Sequence, residues 1–161
     1  MTDRVRSAEE PDADAIVAVH RASWLETYAH LVDPAAIERR FADAELWRSR
    51  WLEIVARGIV SVAERDGRVV GWAYALPADR DAPRDRELEG IYLLAEAHGS
   101  GLGQALLDAV LGDAPAFLWV ADGNPRAEAF YRRNGFERDG AVAEHRVDGA
   151  GAVLAAVRMV R

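Results

Sequence analysis

The chain has 161 residues, half of them apolar and 29% charged, with a net charge of −7; this fits one globular domain spanning 1–161 and excludes a disordered or fibrous chain. It contains no cysteine and no lysine, all 20 basic residues being arginine, which rules out disulfides, thiolate nucleophiles, sulfur-ligated zinc, a Schiff base and the P-loop lysine. The acidic balance argues against nucleic acid and favours cationic ligands, the four histidines (His20, His30, His98, His145) show no metal spacing, and no apolar run or basic leader points to a membrane or an export route, so the cytoplasm is the expected location.

After a short strand, residues 12–31 place Ile16, Val19, His20, Ser23, Trp24, Thr27 and Tyr28 along one helical face. Pro34 opens a second helical stretch, expected to run to about Arg57, in which Trp47 and Trp51 lie one turn apart as core residues and Gly58 is the stop signal. IVSVAER and RVVGWAYAL are rich in β-branched and aromatic residues, and Asp66-Gly67 between them is a two-residue hairpin turn. The polar loop PADRDAPRD precedes another strand, ELEGIYLLA, in which alternation predicts Glu87, Glu89, Ile91 and Leu93 on one face.

A glycine-rich stretch, HGSGLG at 98–103, then runs into a helix with apolar residues at 102, 105, 106, 109 and 110. AFLWVAD reads as a fifth strand. Residues 124–134 form a short helix with Asn124 as cap, Pro125 at its first position and Asn134-Gly135 at its end. FERDGAVAEHR and AVLAAVRMVR complete the chain as strands. A strand, glycine turn and helix followed by another strand is a crossover unit inside an otherwise antiparallel sheet, and ligands of such sheets sit beyond the carboxyl ends of the strands, where the glycines lie.

Gly99, Gly101 and Gly103 each cost roughly 0.5–1 kcal/mol where a helix begins. A tight ligand-free turn would explain them. So would a phosphate site, because a helix N-terminus carries free N–H groups and glycines let an anion reach them; on that reading Gly99 to Gln104 bind phosphate. The series matches neither the P-loop nor the dinucleotide G-x-G-x-x-G pattern.

The segment His98-Gly99-Ser100-Gly101-Leu102-Gly103 resembles the Q/R-x-x-G-x-G/A signature of the GNAT superfamily of N-acetyltransferases, with His98 standing where the family has glutamine or arginine. Residues 124–136, NPRAEAFYRRNGF, are similar to the family's N-x-x-A-x-x-F-Y-x-x-x-G-F motif without a mismatch. The resemblance implies a GNAT-like α/β fold, a mixed, mostly antiparallel sheet of about seven strands flanked by about four helices. It implies acetyl-CoA as acetyl donor, no metal, cofactor contacts from Ile91, Tyr92, Leu93, His98, Gly99, Ser100, Gly101, Leu102, Gly103, Gln104 and Asn124, and Tyr131 near the thioester sulfur as the acid that protonates the departing thiolate. Relatives of this kind are often dimers, which makes a homodimer an expectation.

The chemistry requires an amine to lose a proton before attack, a donor for the carbonyl oxygen, and a proton for the thiolate. Glu87 is the first choice for the base; it lies eleven residues before His98, the offset at which the family carries one. Glu89 is the second carboxylate, on the acceptor side. Trp24 and Tyr28 share a face of the first helix and, with Asp79, Asp81 and Asp85 in the polar loop, suit a cationic amine. Two readings follow: an N-acetyltransferase transferring directly to a primary amine of a small molecule or peptide in a ternary complex, or a non-catalytic acyl-CoA-binding or regulatory module of the same fold.

Overall fold

A computed structural model describes residues 1–161. Seven strands form one sheet: β1 (Asp3–Ser7), β2 (Val60–Arg65), β3 (Arg68–Pro77), β4 (Arg86–Leu93), β5 (Phe117–Ala121), β6 (Glu137–Arg146) and β7 (Val153–Val160), in the order β1-β2-β3-β4-β5-β7-β6. All neighbours are antiparallel except β4 and β5. The hairpin turn between β2 and β3 is the expected one, with Asp66 and Gly67 both at positive φ, 51° and 80°.

Five helices flank the sheet: α1 (Ala13–Tyr28), α2 (Pro34–Arg40), α3 (Ala44–Ala56), α4 (Leu102–Val110) and α5 (Pro125–Arg133). The single helix expected from Pro34 to Arg57 is therefore two. Asp43 is responsible: its carboxylate accepts from the Leu46 N–H at 2.9 Å and starts α3 afresh, while Asp33 caps α2 through the Ala35 N–H. The first helix ends at Tyr28, a turn earlier than expected.

One face of the sheet carries α1 and α3 over a core rich in aromatic rings, including Trp24, Trp47, Trp51 and Trp72. His20 stands in its middle, with Phe41, Trp47 and Trp72 centroids 4.9, 5.1 and 5.0 Å away. Its Nδ1 accepts from the Trp51 indole at 3.4 Å, and burial holds it neutral, pushing its pKa down to about 3. The α4 and α5 face packs Leu102, Leu106, Leu107, Tyr131 and Phe136 against the other side.

Two irregularities in the sheet create the site. Tyr74 pairs with Gly90 and Ala75 with Leu88, so Glu89 is an extra residue on β4, a β-bulge. The parallel ladder between β4 and β5 consists of Glu87 opposite Phe117 and Leu88 opposite Leu118, and then the strands part.

Candidate active site

The bulge overturns the alternation expected along β4. Gly90 lies against the Trp72 ring, and Tyr92 packs on Trp72 at 5.0 Å, on the α1 side. Ile91 and Leu88 join the apolar cluster of the opposite face. Glu87, next to Leu88 in the pleat, and Gly90 and Tyr92, on either side of Ile91, therefore lie on the α1 side, with Glu89 the extra residue between them.

Neither glutamate has a cation. Burial, then the Glu89 charge and then Asp79, push Glu87 up to about 7; burial alone raises Glu89. The buried acids of the chain, Asp12, Glu64 and Glu128, are each met by arginine, and this pair is not.

At the glycine stretch, Gly99 and Gly101 adopt φ of 77° and 89°, open to solvent on the side where a Cβ would be. Ser100 turns inward, donating to the Ala97 carbonyl at 2.7 Å and accepting from the Leu102 N–H at 3.3 Å. The N–H groups of Gly99, Gly101, Gly103 and Gln104 have no acceptor within the chain. Four bare amides at the start of a helix form a cradle for an anion. His98 donates Nε2–H to the Leu93 carbonyl at 2.8 Å, which fastens the loop to the end of β4; a neutral imidazole then keeps only an acceptor for any ligand.

A cavity of about 450 Å³ runs from this cradle through the gap between β4 and β5. It brings together Ile91, Tyr92, Leu93, His98, Gly99, Gly101, Gly103 and Gln104 with Asn124 and Tyr131 of α5, and with Tyr28 and Glu89 at the other end. Asn124 caps α5 through the Ala127 N–H at 3.2 Å, and the Gln104 amide is held by Asp108 and Asn134. Tyr131 is buried and has no hydrogen-bonding partner; burial, then Tyr92, raise its pKa, so it stays protonated. Tyr28 and Tyr92 share a hydrogen bond of 2.9 Å.

Seven expected site residues lie off the cavity wall, three of them Asp79, Asp81 and Asp85 of the polar loop. Ser100 spends its hydroxyl within the loop, and Leu102 is core, 4% exposed. Trp24, also 4% exposed, sits behind Tyr28 at a centroid distance of 4.9 Å. Glu87 lies where β4 still pairs with β5, one residue before the wall begins at Leu88. Conversely, Thr27, Trp119, Arg126, Phe130 and Arg133 line the cavity and escape a sequence reading. Arg126 and Arg133 occupy variable positions inside the second motif, where being cations without an acidic neighbour along the helix was the available signal.

The chain matches the acetyltransferase (GNAT) family model over residues 17–136 and belongs to that family. An uncharacterised N-acetyltransferase of Mycobacterium tuberculosis is 35% identical over 137 residues, 80% of this chain and 85% of the relative. The phosphinothricin N-acetyltransferase of Alcaligenes faecalis is 31% identical over 119 residues, 71% of this chain and 56% of that protein. Among solved structures, the PaiA N-acetyltransferase of Thermoplasma acidophilum, in complex with coenzyme A, superposes with a TM-score of 0.73 at 21% identity, covering 97% of this chain and 98% of that one. YncA of Salmonella typhimurium, solved with its cofactor acetyl-CoA, gives 0.70 at 19% identity over 100% and 94%. The mixed sheet of seven strands is the GNAT fold.

Proposed function

We propose that this domain is an acetyl-CoA-dependent N-acetyltransferase that moves the acetyl group directly to a primary amine of a small molecule or peptide. The observation that carries the reading is the set of four unpartnered amides, those of Gly99, Gly101, Gly103 and Gln104, opening on the same cavity as Glu89 and Tyr131. Acetyl-CoA supplies an activated thioester when bound. The residues present suit it: bare N–H groups for its diphosphate, Arg126 and Arg133 as cavity-lining cations for its remaining phosphate, and the free side of β4 at Ile91–Leu93 for its extended arm. The relatives named N-acetyltransferases and the neighbours holding coenzyme A or acetyl-CoA support the same reading.

Glu89 receives the acceptor's ammonium at the cavity wall. Glu87, with a pKa near neutrality, takes the proton through a bridging water, since Glu89 lies between it and the cavity. The backbone of β4 past the bulge supplies a donor to the carbonyl oxygen as charge develops there. Tyr131, held neutral, passes a proton to the sulfur as it leaves. No cysteine exists to carry the acetyl group, so transfer is direct.

Calorimetric titration of coenzyme A, followed by thiol release from acetyl-CoA with a panel of amines, tests the proposal. Binding together with amine-dependent thiol release is expected; tight binding without release on any amine or peptide would instead establish an acyl-CoA-binding module.

A further inference from the structure

Trp119 is the single Phe, Tyr or Trp ring the fold leaves exposed, 38% accessible on a strand whose other four residues are buried. It occupies a particular place. The last parallel pair between β4 and β5 is Leu88 with Leu118, so Glu89 and Trp119 are the first residue of each strand beyond the point of parting, and both line the cavity. Trp119 faces Arg158 across the β5–β7 ladder, with the guanidinium 5.6 Å from the ring centroid, and Arg158 is held in turn by Asp139 at 2.7 Å. The indole is thus braced on one side by an ion pair and open on the other to the cavity.

We infer that Glu89 and Trp119 form the acceptor subsite, the carboxylate taking the ammonium and the indole taking an apolar substituent, so that the preferred acceptors are primary amines carrying an aryl or branched alkyl group. This rests on the acetyl-transfer reading of the same cavity. The uncompensated carboxylate calls for one positive charge. The indole does not call for a second, because the Arg158 guanidinium, paired with Asp139, already takes the cation position on that ring. A flat or branched hydrocarbon instead covers exposed aromatic surface at a site walled by Tyr28 and Thr27.

The test uses the full chain saturated with coenzyme A. The indole N–H resonance of Trp119, assigned by its absence in W119F, is followed while 2-phenylethylamine, methylamine or 1,4-diaminobutane is added. The arylalkylamine is expected to shift it at the lowest concentration. In turnover with acetyl-CoA, W119A is expected to raise KM for 2-phenylethylamine at least about tenfold more than for methylamine, with kcat within about threefold and W119F recovering most of the loss. An unmoved resonance with every amine, or KM rising equally for both amines, would overturn the subsite. A resonance that moves while no amine releases thiol would keep the subsite and remove the acetyl-transfer reading.

Discussion

Two sets of acids in the same fold meet opposite fates. Glu64 of β2 is 4% exposed and is gripped by Arg4 and Arg6, the latter also forking onto Asp12 at 2.7 and 2.8 Å; these arginines hold both carboxyls below the usual range. Glu128 is likewise met by Arg138 and Arg132. Glu87 is half-buried and Glu89 exposed on β4, and with 20 arginines in the chain none pairs with either. Acids that hold the fold together are neutralised within it, whereas acids left charged against their surroundings are free to trade a proton or hold an incoming cation.

The contrast can be broken most severely at Glu87. Glu87→Gln is expected to lower kcat/KM for an amine by roughly 10²-fold and to abolish the rise in rate as pH climbs through about 7, where the carboxylate form appears; a rate profile over pH 5–9 reads both. Next comes Glu64→Ala, which strands Arg4 and half of the Arg6 fork. A cost of about 2 kcal/mol in urea unfolding is expected, with coenzyme A affinity unchanged by calorimetry.

Smaller still, Tyr131→Phe is expected to reduce kcat by roughly tenfold while leaving coenzyme affinity within about twofold, as measured by initial rates and by titration. The finest distinction between the two sets lies in how pH moves stability. Glu64 has a lowered pKa in the fold, so the stability it lends is complete above the unfolded value near 4.5 and fades as pH falls below it. Glu87 has a raised pKa, so the folded chain retains a proton that the unfolded chain has lost between 4.5 and about 7, and stability declines as pH rises across that window. Thermal unfolding of Glu87→Gln against the parent should therefore show the variant gaining relative Tm from pH 5 to pH 8.

The glycine end of the cavity was legible because its parts are local. Glycines at 99, 101 and 103 before a 3.6-residue apolar repeat, and Asn124-Pro125 ahead of a nine-residue helix, each state their backbone geometry within a few residues. The acceptor end was not, because it depends on the register between strands. Nothing in ELEGIYLL announces that Glu89 is an extra residue opposite β3, and strict alternation consequently put Ile91 and Leu93 on the wrong side. Trp119 has the composition of a buried strand residue; only the parting of β4 from β5 uncovers it. Asp43 was a cap hidden inside an otherwise continuous helical pattern.

The short ladder at Glu87–Leu88 has a mechanical consequence. Every other seam of the sheet is stitched along five or more register pairs, so at the β4–β5 seam the two portions are held mainly by side chains such as Ala75, Leu88, Leu118 and Val120 rather than by backbone bonds. A coenzyme lying along that seam as proposed would add the missing main-chain bonds there, and its binding is expected to raise the melting temperature.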